Sequence, residues 1–537
     1  MNAPIVVVGS GASGVHFTLS LLRKGHKVTM FDVGRRGTLP VEPEANFTEL
    51  KERLSDPSAY FLGPNYDGVL LPNADGEYYG IPPGKNYIFE ASHDFRHSAR
   101  GFSPLFSFAR GGLAEAWTGG CYPLNDAELT DFPFGYDQMR AHYSEVARRI
   151  GISGEVDDLA RFMPVHDNLL PPLRLDPHST GLMKLYARKR DRLNRNVGAY
   201  IGRTRVATLS QPLGSRSSCT YLGRCLWGCP VNALYTPSQT LAECLSYPNF
   251  EYIPGMHVDY FKLGPDHRIR SIVARPTGGG TEQEFNVERL VLAAGTLLST
   301  KIVLLSILRA SGERVQLRGL MDNRQILVPF VNLRMLGQPF SPDNYQYHLL
   351  GIGIEAGDPR DYVHGQITTL KTALLHPIIQ NLPLDLRTST FITRSMRTAL
   401  GVINVNFRDD RREDNYVTLS EKTTEGQPHL EISYSPSADE PARMREAMKK
   451  VTKTLRMLGC IIPPGMAHVR PMGASVHYAG TLPMTEKPAP FTTTEYCQSR
   501  DFENLFVVDG STYPFLPAKN ITFTLMANAV RVAEAAF

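Results

Sequence analysis

Ile5-Val-Val-Val8-Gly9-Ser-Gly11-Ala-Ser-Gly14-Val15-His-Phe-Thr-Leu-Ser-Leu-Leu-Arg23 is the stretch that decides the fold class. Four β-branched residues in a row predict a strand buried on both faces. The glycines of the G-x-G-x-x-G that follows serve a tight turn, close backbone approach to a pyrophosphate, and close packing of helix on strand. Val15 to Arg23 then reads as a helix, whose N-terminal N–H groups and partial positive charge suit phosphate. Lys27-Val-Thr-Met-Phe31 predicts a second strand closing on Asp32. An acid about 20 residues past the glycines suits a ribose hydroxyl. Strand, turn, helix, strand and acid in this order predict a dinucleotide site. They leave FAD and NAD both open.

Composition bounds the rest. The 537 residues are 42% hydrophobic and 20% charged, with a net charge of +4, so two or three domains with a large core are expected. No basic block is dense enough for nucleic acid. No apolar run approaches the ~20 residues that span a bilayer. Without a charged leader or twin arginine, the chain as given reads as unexported and cytoplasmic. Seven scattered or loosely grouped cysteines are not a disulfide framework.

At the other end, Asn504-Leu-Phe-Val-Val-Asp509-Gly510-Ser511 predicts an apolar strand ending at an acid and a glycine. Asn520 to Ala536 has a helical pattern, with Asn520 at the expected N-cap and Thr522 and Thr524 just inside. Asp509-Gly-Ser, then Asn520-Ile521-Thr522-Phe-Thr and an Ala-rich helix, resembles the C-terminal signature of the glucose–methanol–choline (GMC) oxidoreductases. Three further segments resemble family segments in the family's order. They are Arg110-Gly-Gly112-Leu with Trp117-Thr-Gly119-Gly120, Phe132-Pro-Phe-Gly-Tyr-Asp137, and Leu290-Val-Leu-Ala-Ala294-Gly295. The resemblance spans essentially the whole chain.

The resemblance implies α/β and α+β architecture: a Rossmann-type FAD-binding domain with an inserted substrate domain on a largely antiparallel sheet. The FAD domain is expected at 1–318, with loop and substrate-facing insertions near 40–100 and 150–210, and again at 463–537; the substrate domain is expected at 319–462. FAD contacts are implied for Gly9, Ser10, Gly11, Ala12, Gly14 and Asp32, for Arg110, Gly112, Gly119 and Gly120, and for Val258, Ala294 and Gly295. Asp509, Gly510, Asn520, Ile521 and Thr522 complete that set. Ala116 stands where pyranose oxidases carry the histidine that bonds FAD, so non-covalent FAD is expected.

Ser475-Val-His477-Tyr-Ala-Gly480-Thr481 resembles the family's His-x-x-Gly-Thr motif, and Asn520 matches its second catalytic position. Alcohol oxidation needs a group to take the hydroxyl proton while hydride leaves for flavin N5. Histidine titrates near neutrality and suits that role, whereas an amide can only hold the hydroxyl oxygen. The resemblance therefore implies His477 as base and Asn520 as orienter, a small-molecule alcohol as substrate, and oxygen or another electron acceptor. A family lyase that keeps FAD as a structural element and uses His477 for acid–base chemistry is the alternative. Where the family continues with Arg-Met-Gly, this chain has Leu482-Pro-Met484, which leaves the turn after the motif open.

Cys219, Cys225 and Cys229 have the spacing C-x5-C-x3-C-P. It resembles that of bacterial FAD-dependent glucose dehydrogenases, which carry an iron–sulfur cluster, and also a packed Cys-rich loop found in family members without one. The packed loop is the expectation. Leu370 to Leu386, followed by Arg387, Arg394 and Arg397, reads as a substrate-domain helix packed on its sheet, with an amphipathic lid as the alternative.

Overall fold

The computed structural model describes residues 4–37, 41–66, 68–69, 77, 80–89, 95–380, 382–421 and 428–537. The strand Ile5–Val8 lies at the centre of a five-stranded parallel sheet. Its order is Leu505–Val507, Arg289–Leu292, Ile5–Val8, Val28–Phe31, Phe250–Ile253. Alternation explains the unbroken apolar run. Ile5 and Val7 enter one core, Val6 and Val8 the core on the opposite face, as period-2 side chains must. The first core is roofed by the helices Ala12–Arg23, Tyr136–Ile150 and Thr522–Ala536. The second lies under the helix Thr296–Ser311 and the antiparallel strands Met256–Leu263, Ile269–Pro276 and Gln283–Asn286. The two ends of the chain therefore meet in one domain.

The second large sheet has antiparallel neighbours throughout, in the order Cys460–Ile461, Gln325–Asn332, Leu400–Asn406, Val363–Thr369, Leu350–Ile354, Ala199–Arg203. One face supplies Ile326, Val328, Phe330, Ile403, Val405 and Ile367 to a third core, which the helices Pro177–Val197 and Glu440–Met457 cover. At one end of the sheet the alternate positions are polar (Gln325, Asn404, Asn406, His364 and Gln366), while Leu327, Pro329 and Val402 on the same face are apolar. A one-residue slip of Leu400–Asn406 would turn Asn404 and Asn406 into the apolar core. The cost of burying unpaired amides holds the register.

Two strand placements bear on the sequence boundaries. Ala199–Arg203 joins the antiparallel sheet from outside 319–462, within the insertion expected near 150–210 to face the substrate side. Tyr416–Leu419 and Leu430–Ser433 lie within 319–462, yet they pair with Leu317–Arg318 and His97–Arg100 and pack into the second core. Their apolar residues have the same period in either sheet, so pattern alone does not place them.

The apolar segment at 370–400 is not one packed helix. It forms two helices, His376–Gln380 and Leu386–Met396. The second buries Ser389 and Thr393 while Leu386 and Phe391 are 75% and 69% exposed. Among the described residues no helix is long and apolar enough to cross a membrane.

Candidate active site

The glycine turn is built by steric exclusion. Gly9 has φ +101°, and a Cβ there would stand 2.6 Å from the Ala293 carbonyl oxygen. At Gly14 a Cβ would stand 2.1 Å from the Gly9 carbonyl oxygen. Only glycine lets helix and turn approach this closely. Gly14→Val is therefore expected to yield protein purified without flavin, measured as flavin absorbance per polypeptide. Full flavin occupancy would contradict this account of the turn.

Above the turn is a solvent-accessible cleft. Gly9, Ser10, Gly11, Ala12 and Asp32 line it at one end, with Gly112, Val258, Ala294 and Gly295. His477, Asp509, Gly510, Ile521 and Thr522 also line it. Two helices begin at its wall, Ala12–Arg23 and Thr522–Ala536, and neither N-cap residue (Gly11, Ile521) has a side-chain cap. Their leading N–H groups are left for a ligand, as anion-binding helix termini require. Asp32 accepts from the Ser10 hydroxyl and from the Tyr252 hydroxyl at 2.9 Å. Burial pushes its carboxyl up to about 6. Dinucleotide chemistry fits this donor set: helix N-termini for pyrophosphate, a carboxylate for ribose.

Other expected residues stand back from the cleft. Gly14 packs beneath the turn. The Arg110 guanidinium lies over the Tyr252 ring, 5.9 Å from its centroid. Gly119 is packed by Leu234, and a Cβ on Gly120 would meet Tyr122 and Gln366. Asn520 is not the helix cap expected from its position. The helix starts two residues later, and the Asn520 amide is committed elsewhere. Its Nδ2 is 3.2 Å from His477 Nε2, and its Oδ1 accepts from Gln366 Nε2 at 2.8 Å.

His477 is held from behind by a segment that sequence reasoning missed. Met321 and Ala479 form an antiparallel bridge with both backbone hydrogen bonds. That register sets residue 323 against residue 477. Asn323 Oδ1 lies 3.0 Å from His477 Nδ1. Next to it, Asp322 accepts from the Gly473 N–H at 2.5 Å and from the Ser475 hydroxyl, which in turn accepts from the His477 N–H at 2.9 Å. Val476, between them, has φ +64°. A β-branched residue there carries strain on the order of 1–3 kcal/mol, which Asp322 and the bridge must offset. The imidazole is partly buried at the cleft wall. Desolvation, helped by the charge of Arg470, lowers its pKa to about 4.

The turn after the motif is also defined. Gly480, Leu482 and Met484 donate through their N–H groups to the carbonyls of Gly510, Ser511 and Thr512. Gly480 has φ +81°, and a Cβ on it would stand 1.9 Å from the Gly319 carbonyl oxygen. Leu482-Pro-Met484 thus runs beside the 3-10 turn Gly510–Thr512, held to it by backbone hydrogen bonds.

Comparison with known proteins agrees with this architecture. A family model described as GMC oxidoreductase matches residues 411–529. The C-terminal part of the chain is a GMC oxidoreductase domain. Among similar proteins, 2-methyl-1,2-propanediol dehydrogenase of Mycolicibacterium austroafricanum is 22% identical, covering 99% of this chain and 94% of its own length. Paromamine 6'-oxidase of Streptomyces fradiae is 23% identical, with 99% and 90% covered. The structure of pyridoxine 4-oxidase from Mesorbium loti aligns over 99% of both chains with a TM-score of 0.62 at 15% identity, a likeness of fold. GMC oxidoreductases are FAD-dependent, and the fold here is theirs: a Rossmann-type domain with a second, antiparallel sheet.

The three grouped cysteines sit apart from the cleft. Cys219, Cys225 and Cys229 pack against a small core of Leu173, Val206, Leu234, Tyr345, Tyr347 and Leu349. Burial pushes the Cys219 thiol up to about 11 and raises that of Cys225 as well. Buried Arg224 ties the loop down by donating to the carbonyls of Glu42, Pro43, Ala45 and Gly228. Among the described residues no group of three His, Cys, Asp or Glu side chains is disposed to hold a metal. The geometry is that of thiols in an apolar loop, so it lends no support to an iron–sulfur cluster at this position.

Proposed function

We propose that this chain oxidises a CH–OH group of a small alcohol with non-covalent FAD, using His477 as base and Asn520 to orient the hydroxyl. The observation that supports it is the His477–Asn520 pair, 3.2 Å apart beside the dinucleotide cleft. Bound FAD supplies the hydride acceptor, at its N5. Everything else is done by this chain. Its uncapped helix termini and Asp32 hold the dinucleotide. The Asn520 Nδ2–H group and the His477 Nε2 lone pair grip the substrate hydroxyl, one donating to its oxygen and the other accepting its proton. The hydroxyl proton passes to His477 Nε2 as the carbon gives up hydride. General-base assistance of this kind contributes typically about 10²–10⁴-fold. Gln366, on the antiparallel sheet, donates to Asn520 Oδ1 and fixes the orienting amide.

Anaerobic mixing of the FAD-loaded protein with small alcohols and polyols tests the reading. Loss of oxidised-flavin absorbance with formation of one carbonyl product per flavin is expected. Product formation with the flavin still oxidised would instead identify the lyase alternative. A pH profile follows from the desolvated imidazole. The neutral form is the active one, so activity is present above its pKa and lost below it. kcat/KM should stay level through neutrality and fall only as pH drops towards about 4. A limb at the ordinary histidine value of about 6.5 would contradict it.

A further inference from the structure

His477 can serve as a base towards substrate only if its single proton sits on Nδ1, leaving Nε2 unprotonated. Nothing in the imidazole itself makes that choice, because a ring nitrogen donates or accepts according to its partners. Both immediate partners, Asn323 and Asn520, are amides, and an amide can present either end. Reversing Asn520 and Gln366 together would satisfy the opposite tautomer equally well. The symmetry is broken at Asn323. Its Nδ2 lies 2.8 Å from the Phe407 carbonyl oxygen and 2.8 Å from the Pro517 carbonyl oxygen. Backbone carbonyls accept and never donate, and Asn323 is 1% exposed, so no solvent can substitute. Reversing this amide would set its oxygen against two carbonyl oxygens, leaving three buried acceptors without a donor. Each unmet buried group costs about 1–3 kcal/mol.

We infer that Asn323 is a positioning residue that selects the Nδ1–H tautomer of His477. Its orientation is dictated by the Phe407 and Pro517 carbonyls, so Oδ1 faces the ring and accepts from Nδ1–H at 3.0 Å. The Nε2 lone pair then requires a donor, which turns the Asn520 amide so that Nδ2 faces the ring. Asn520 Oδ1 is left to accept from Gln366 Nε2 at 2.8 Å. Polarity thus runs in one direction from two carbonyls, through Asn323, His477 and Asn520, to Gln366 on the antiparallel sheet. Both strands that flank the sheet's polar end contribute, since Phe407 follows Leu400–Asn406 and Gln366 lies in Val363–Thr369.

The inference rests on the base reading for His477, and the test separates the two. Imidazole 15N resonances are recorded on the FAD-loaded protein labelled at histidine, with His477 identified by its loss in His477→Ala. The expected wild-type spectrum shows His477 protonated at Nδ1 and bare at Nε2. Asn323→Leu keeps the volume and removes the acceptor. It should move the population towards the Nε2–H tautomer and lower kcat on the order of 100-fold, with KM near the wild-type value. A wild-type proton on Nε2, or an Asn323→Leu protein retaining both tautomer and kcat, overturns the inference. If His477→Ala itself reduces flavin at the wild-type rate, the base reading has failed instead. The wild-type spectrum decides the matter even if Asn323→Leu does not fold.

Discussion

Replacing His477 with alanine is expected to slow flavin reduction by an alcohol about 1000-fold, within the roughly 10²–10⁴ range of general-base catalysis, while FAD remains bound. The imidazole is one of many residues that line the cleft, and the groups assigned to phosphate and ribose lie on other elements. Cofactor affinity should therefore hardly change. What is lost is the acceptor for the hydroxyl proton. Asn520 remains, but an amide has no basic site near neutral pH. Anaerobic stopped-flow at saturating alcohol measures the step directly. An unchanged rate would remove His477 from the chemistry, and loss of FAD would make its role structural.

The second large effect is on stability. Lys519 immediately precedes Asn520, and its ammonium is 0% exposed, paired with Glu128, which is itself 2% exposed. It also donates to the Pro123 carbonyl at 3.0 Å and the Phe162 carbonyl at 2.6 Å. All three ammonium protons are thereby used. Lys519→Met would leave the Glu128 carboxylate buried without its counter-charge and the Pro123 carbonyl without this donor, while Asn125 still donates to Glu128 and to the Phe162 carbonyl. Breaking one side of a buried pair costs about 3–5 kcal/mol, so the midpoint of urea unfolding should fall markedly. Adding Glu128→Leu should recover much of the loss, because the unpaired charge rather than the missing attraction carries the cost. A single variant as stable as wild type would mean the pair is not buried as described. The same lysine anchors the approach to Asn520, so loss of activity in folded Lys519→Met is also expected.

What is legible in the sequence divides along physical lines. Gly9 and Gly14 are readable because a side chain there collides with backbone, and the constraint is written in adjacent residues. Ile5–Val8 and Leu505–Val507 are readable because burial on both faces demands apolar runs. The pairing of His477 with Asn520 follows from the motif, but the local pattern that makes Asn520 a helix cap is not what forms. Its amide finds partners on two other elements, and the helix begins at Thr522 instead. Asn323 carries no local signal at all. It acquires its position from an antiparallel bridge between segments 158 residues apart in sequence (479 minus 321). The single packed helix expected from Leu370 to Leu386 is replaced by two helices, and the second, Leu386–Met396, turns its Ser389 and Thr393 face inward, because an apolar composition does not state what covers it.

The central claim is that the glycine turn of the first strand and the start of the last helix hold one flavin beneath the His477–Asn520 pair. A crystal structure of the FAD-loaded protein with a non-oxidisable alcohol analogue tests it most directly. The account predicts the pyrophosphate at the N–H groups of Ala12–Arg23, the flavin ring against Ile521 and Thr522, and the analogue's hydroxyl bridging His477 Nε2 and Asn520 Nδ2. A flavin bound elsewhere, or a hydroxyl held by other side chains, would contradict it.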